Sequence, residues 1–377
     1  MQNVRLLATL CIFVVLLALP QSARSESFVY EEYQETVAAK VISIIGTEER
    51  ELPGLDTTVS IQEVSVQLLS GSKKDETVAF SNELAAVSVG DRIFIDRRVT
   101  MEGREYYVLK DVDRRLGLTV LALLFVGLIV WFSRSNGLRA LVCLAISVAA
   151  IIFILVPVLL AGYNPALSSL VISGGILTVV LFGTHGINAF STIAALGTLC
   201  AISVTCAIAY VFVDVLRFTG FGSHEAVYLN FSTGGSLDFA GLLLGSIIIG
   251  MLGVLDDVAI TQASVVAELK RANPSLDAHE LYRRATRVGR DHVASLVNTL
   301  ALAYVGVSLP LILLLARAEV DIMMTINQEL VAAELARIMI GSIGIVLTVP
   351  ATTSIGAWYF GKKDMTHQPD THHHHHH

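Results

Sequence analysis

Asp256 and Asp257 stand side by side in GMLGVLDDVAITQAS, residues 250–264, near one end of a strongly apolar stretch. Carboxylates do a short list of chemistry: they exchange protons, hold cations or, as a pair sharing one proton, activate water. Leaving an ionised aspartate in hydrocarbon costs at least ~2.5 to 3.5 kcal/mol on insertion scales, so an acid that persists there marks a functional site by default. At helical spacing Gly250, Gly253, Asp257, Thr261 and Ser264 share one face, whereas Asp256 looks along Ile249, Leu252, Ile260 and Ala263. The small residues of the Asp257 face, continued by Gly241 and Gly245, let a neighbouring helix come close and bring hydrogen-bond partners.

Two later segments offer such partners. Asp291, Ser295, Asn298 and Thr299 lie on neighbouring faces of GRDHVASLVNTLALAY, where Asn298 is placed to hydrogen-bond Asp257. Glu334, Arg337, Gly341, Gly344, Thr348 and Thr352 recur at helical spacing in the last apolar run, with Glu334 and Arg337 expected to pair at the outer interface. The coupling set is therefore Asp256, Asp257, Thr261, Asp291, Asn298 and Thr299. The packing set is Gly241, Gly245, Gly250, Gly253, Gly341, Glu334 and Arg337. About eighteen residues at ~1.5 Å each put the acids roughly 27 Å from the outer end of their helix. The competing reading is thus an acid pair at the inner interface, matched by the arginines of the next loop. His185, in FGTHGIN, reads as a turn histidine.

The acids alone do not make an aspartyl protease. Adjacent side chains diverge by about 100° around a helix, and Asp214, the other acid close to a span besides Asp238, Asp291 and Glu334, falls near an outer end at the wrong depth to complete a dyad with Asp257. The chain has no phosphate-cradling loop for nucleotide, and no cofactor is expected. The reading is a non-enzymatic protein whose metal content the sequence leaves open.

The elements that must position these residues follow from composition. Hydrophobic residues make up 54% and charged residues 16% of the 377, against roughly 45–50% and 25% in soluble domains, and the mean hydropathy is +0.66. This is the signature of a polytopic α-helical membrane protein in a lipid bilayer. A formal charge of −7 gives no footing for nucleic acid. Cys11, Cys143, Cys200 and Cys206 all fall in apolar segments without metal-type spacing, so neither a disulfide nor a zinc site is expected. His372–His377 reads as a purification tag closing a tail from 363.

Residues 1–26 have a basic start, an apolar core from Leu6 to Leu19 and small residues at Ser22, Ala23 and Ser25, which reads as a signal peptide or signal anchor. Residues 27–115 alternate with period two in ETVAAKVISIIG, TTVSIQEVSVQLL, ETVAFSN, DRIFIDRRV and EYYVLKDV, with glycine turns at Gly90 and Gly103. That pattern predicts a small all-β barrel or sandwich. Apolar runs at about 116–133, 138–161, 165–183, 188–213, 237–265, 293–316 and 335–360 predict seven transmembrane helices within 116–362. A basic amphipathic helix at about 270–290 is expected on the inner surface. Arg134, Arg139, Lys270, Arg271, Arg283, Arg284, Arg287, Arg290, Lys362 and Lys363 fall on one side and only Arg217 and Arg317 on the other. The positive-inside rule then places the β domain outside and the C-terminus in the cytoplasm of a bacterial plasma membrane.

FTGFGSHEAVYL (218–229), LGVLDDVAITQASVVAEL (252–269), VGRDHVASLVNTLALAYVG (288–306) and ELARIMIGSIGIVLTVPATT (334–353) resemble the YibE/F-like family of bacterial multi-pass membrane proteins, from the β domain to Pro350. That resemblance implies topology rather than chemistry. The acid pair, followed by an amphipathic helix and a helix with polar residues near its start, is similar to the proton-relay half of resistance-nodulation-division transporters and of SecD/SecF. The expected spans hold no lysine to pair with the acids, and the β domain is smaller than a porter domain. Together these readings predict a proton- or cation-coupled transporter of unknown cargo, with a homo-oligomer or an envelope partner of the β domain as candidate associations. The alternatives are a non-transporting scaffold and, further off, an intramembrane aspartyl protease.

Overall fold

A computed structural model describes residues 33–51, 58–100, 103–317 and 321–362. The expected signal segment (1–26) and the tail with its histidine run (363–377) lie outside the described residues. The chain divides into two compact units between Phe132 and Ser133.

In the first unit the five expected strands are β1 (Tyr33–Glu51), β2 (Thr58–Leu68), β3 (Thr77–Asn82), β4 (Arg92–Val99) and β5 (Glu105–Val112). They form one antiparallel sheet in the order β3-β2-β1-β4-β5. Its two edge strands approach one another, so the sheet curls into a half-barrel rather than a sandwich. The alternation explains the curl's interior. Val37, Ala39 and Val41 point inward with Val64, Val66 and Leu68 of β2 and Ile93 and Ile95 of β4, while the intervening residues face out. Breaks in the β1–β2 register at Val41/Ser43 and Ile44/Gly46 add the bend that such a curl requires. At one end of the same inward-facing rows, beyond Val37 and Ile95, Arg97 bridges Glu35 and Glu105, and Lys73 also reaches Glu105.

The helices are α1 (Arg115–Leu160), α2 (Pro165–His185), α3 (Ala189–Val215), α4 (His224–Ser232), α5 (Phe239–Ala272), α6 (Ala278–Val307), α7 (Leu309–Arg317), α8 (Ile322–Asn327) and α9 (Glu329–Gly361). Among the described residues five are long and apolar enough to cross a membrane, and six if α6 and α7, bent by 62° at their junction, form one span. The first two expected helices meet at Arg134, whose non-helical backbone (φ 48°, ψ −128°) kinks the 46-residue stretch at the expected join, and a π-helical turn follows at Ile151–Leu155. One join differs from the sequence expectation. The amphipathic segment expected at 270–290 is no separate surface helix. Its first residues finish α5 and the rest opens α6, which runs on unbroken because nothing between Gly289 and Val293 interrupts helical backbone. Its cap is Asp277, whose Oδ1 accepts from Glu280 N at 2.7 Å. Pro310, just after Ser308, ends α6 by removing a donor and crowding the carbonyl four residues back.

α5 is the axis of the second unit, packed against α2, α3, α6 and α9. The contacts fix directions. Gly241 lies against Pro165 and Gly245 against Ser169, so α2 runs parallel to α5. Gln262 meets Thr353 while Gly344 meets Leu255, so α9 is parallel too. α3 and α6 return antiparallel, since Gly197 packs on Thr352 and Thr205 on Gly344, and Ala285 meets Gln262 while Tyr304 meets Gly250. Hydroxyls buried in these contacts mostly satisfy themselves on their own helix: Thr198, Thr205, Thr348 and Thr353 each donate to the carbonyl four residues back. That leaves slim polar residues free to pack like alanine between close helices.

Candidate functional site

The acid pair sits where α5 leaves one side uncovered. Val258, Ala259, Gln262, Ala263, Val266, Ala267 and Lys270 are buried in the bundle, but Ser246, Gly250, Gly253, Asp257 and Thr261 form an exposed stripe. A methyl group at Gly253 would meet nothing within 4 Å, whereas at Gly250 it would stand 2.6 Å from the Tyr304 hydroxyl of α6. The open side therefore lies between α2 and α6, the two neighbours of α5 that flank it.

Asp257 faces this opening. His185, at the end of α2, and His292, on α6, lie within its electrostatic reach. His185 Nδ1 is 2.7 Å from Thr184 Oγ1, which fixes its ring. Asp256, one residue back, is half-buried, and its Oδ1 is enclosed without a hydrogen-bond partner. An enclosed carboxyl oxygen that meets no protein donor needs its own proton, a cation or a water molecule, since leaving it bare costs the full desolvation penalty. No ion pair among the described residues joins either acid to an arginine. Arg283 and Arg284 pair with Glu280, and Arg271 pairs with Glu268.

The other expected residues fall in two groups. Asp291, Asn298 and Thr299 are exposed on α6; Thr299 Oγ1 donates to Ser295 O at 2.9 Å, and Asn298 has no hydrogen bond to Asp257. Thr261 continues the open stripe one turn past Asp257. Gly241 and Gly245 carry the α2 contact, and a methyl group at Gly341 would stand 3.0 Å from Leu300 Cδ2. Glu334 and Arg337 are paired, and with Tyr304 they form a polar cluster near Gly250, which precedes the acids on α5 by about two turns. His292 and the convergence of His185 on Asp257 are what sequence reasoning missed. The adjacent Asp291 marked the right turn of α6, but only the antiparallel register of α6 on α5 brings its histidine to the acid. Among the described residues no group of three or more His, Cys, Asp or Glu is placed to hold a metal ion.

A bundle of long apolar helices around a central acid-bearing helix, preceded by a small antiparallel half-barrel, defines a polytopic membrane protein. The chain belongs to the YibE/F-like family, whose pattern matches residues 121–362 and so takes in the helices but not the sheet. Searches of curated proteins and of solved structures returned no match.

Proposed function

We propose that the protein is a proton- or cation-coupled transporter rather than an enzyme, with Asp256 and Asp257 as the exchanging acids. The observation that carries this is the enclosed Asp256 Oδ1, without a protein partner, beside an Asp257 that opens onto the uncovered side of α5 within electrostatic reach of His185 and His292. Protonation or cation binding would change the charge of that side and let α2 and α6 repack against α5, which is the two-state element that coupling needs. Asn298, Thr299, Thr261 and Asp291 line the approach along the same region. Seven crossings result if α1 spans twice about Arg134 and α6 with α7 spans once. The positive-inside rule then puts the half-barrel outside the bacterial plasma membrane and the C-terminus inside, after a cleaved or anchoring N-terminal signal.

The test is difference infrared spectroscopy of the protein in bilayers across a pH series. A carboxyl C=O band that appears on acidification in the unmodified protein and is lost in Asp256→Asn or Asp257→Asn is expected; its absence in the unmodified protein would overturn proton exchange. A second reading, a scaffold that binds an envelope partner or another copy, draws on the uncovered small-residue stripe of α5. It is favoured if both variants lose assembly while the band stays unchanged.

A further inference from the structure

At the start of α5, about eighteen residues before the acids, a cavity of about 430 Å³ opens between the first turns of α2 and α5 and the last turn of α3. That size suits a small solute or a headgroup. Asn164, Tyr210, Asp214, Arg217 and Asp238 line it. The charged three are of both signs, and none forms an ion pair among the described residues. Asp238 Oδ1 is committed to capping Gly241 N at 2.9 Å, and Asn164 Oδ1 to Leu167 N at 3.0 Å, which leaves Asp238 Oδ2 and the Asn164 amide for a ligand.

Arg217 makes the arrangement specific. α3 ends with Phe218 N donating to Val213 O and Arg217 N to Asp214 O, both at 3.0 Å. This is the helix-ending turn in which the left-handed position is normally glycine. Here the position is an arginine with φ +52°. A glycine would relieve the backbone, so the side chain is what the position keeps, and that side chain lines the cavity.

We propose that this cavity binds a small zwitterion, a primary ammonium joined through a few bonds to a carboxylate or phosphate. Asp214 and Asp238 take the ammonium, and the Arg217 fork takes the anionic group through paired N–H donors. A simple anion would meet two carboxylates, and a simple cation would meet the guanidinium, so each half alone is disfavoured. The same chemistry comes as a free amino acid or as the headgroup of phosphatidylethanolamine.

The experiment is calorimetric titration of the full chain in a neutral glycoside detergent with L-serine and with phosphoethanolamine, and with ethylamine and acetate as half-ligands. Saturable binding of at least one zwitterion is expected, weakened about tenfold or more in Asp214→Asn and in Arg217→Gly, with the half-ligands weaker by a similar factor. Arg217→Gly should melt no lower than the unmodified protein, because it relieves the left-handed residue, so lost binding there is not lost folding. No saturable binding of either zwitterion, unchanged binding in Arg217→Gly, or ethylamine binding as tightly as phosphoethanolamine would each overturn the proposal. Repeating the serine titration in nanodiscs separates the sources. Serine excluded by phosphatidylethanolamine but not by phosphatidylcholine identifies the lipid headgroup, and equal binding in both identifies the free solute.

Discussion

Gln262 of α5 donates through its Nε2 to Thr353 Oγ1 of α9 at 2.7 Å and to Ala285 O of α6 at 2.8 Å, a little over one turn beyond Asp257. The side chain is 2% exposed and also fills the space beside Gly289. One amide therefore ties three helices together on the buried face of α5, a little over one turn beyond the acids.

The first prediction separates the two parts of that tie. Gln262→Leu keeps most of the volume and removes the hydrogen bonds, which in membrane bundles are worth about 1 kcal/mol. Gln262→Ala also leaves a void, for a total of about 2–3 kcal/mol. Thermal unfolding in detergent should rank unmodified, Leu and Ala in that order. An alanine variant as stable as the unmodified protein would show that the tie contributes nothing.

The second prediction sets two glycines against each other. A methyl group at Gly197 would stand 2.8 Å from Thr352 Cα, a backbone atom that no rotamer change can move. Gly197→Ala should push α3 off α9 at a cost of about 2 kcal/mol. Gly253→Ala meets open space and gains up to about 1 kcal/mol of helix propensity. Melting curves of the two variants should move in opposite directions. A drop for Gly253→Ala accompanied by a change in oligomer mass would mean that another copy covers the stripe.

Much of this was legible before any coordinates. Alternation in β1–β5 and long apolar runs are local patterns, and the packed glycines Gly241, Gly245 and Gly341 follow from spacing alone. What was not legible depends on register between distant helices. Residues 270–290 read as a surface helix because one face of the segment is charged, yet Leu281, Ala285 and Gly289 on the other face pack into the bundle. His185 read as a turn residue for the same reason: nothing within FGTHGIN says that α2 ends level with Asp257. The burial of the acids likewise needed the bundle, in which Asp256 is half-buried and not paired with the arginines that follow it in sequence.

The third prediction concerns the half-barrel and acid. Hydrogen bonds from Arg97 and then Lys73 hold the Glu105 carboxyl down at about 2, from an ordinary 4.5. Glu35 is also lowered, chiefly by its hydrogen bond from Ser72, with Arg97 adding to it. A carboxylate whose folded value is depressed contributes stability that is fully present above its unfolded value and is lost as pH falls through the folded one. The β4–β5 pairing should therefore lose protection between pH 4.5 and 2. Hydrogen exchange of the intact protein, corrected for the intrinsic rate, should show β4 and β5 opening over that window, with a smaller pH response in Glu105→Gln. Equal pH responses in the variant and the unmodified protein would remove Glu105 from the account.

The last prediction asks whether the histidines beside Asp257 act with it. Two side chains that interact give non-additive effects when both are replaced, by about 0.5–3 kcal/mol, whereas distant sites add within a few tenths. His292→Asn and Asp257→Asn should therefore be coupled in a double-mutant cycle of unfolding stability, and His185→Asn with Asp257→Asn should be coupled as well. His279, exposed in the first turn of α6, supplies the reference, and His279→Asn with Asp257→Asn should add. The infrared band lost in Asp257→Asn should also change frequency in His292→Asn, because a carboxyl stretch reports the charges and donors around it, and stay in place in His279→Asn. Additive energies and an unmoved band for both His185 and His292 would leave Asp257 as a solitary acid on an open helix face, and the weight of the coupling proposal would then rest on Asp256 alone.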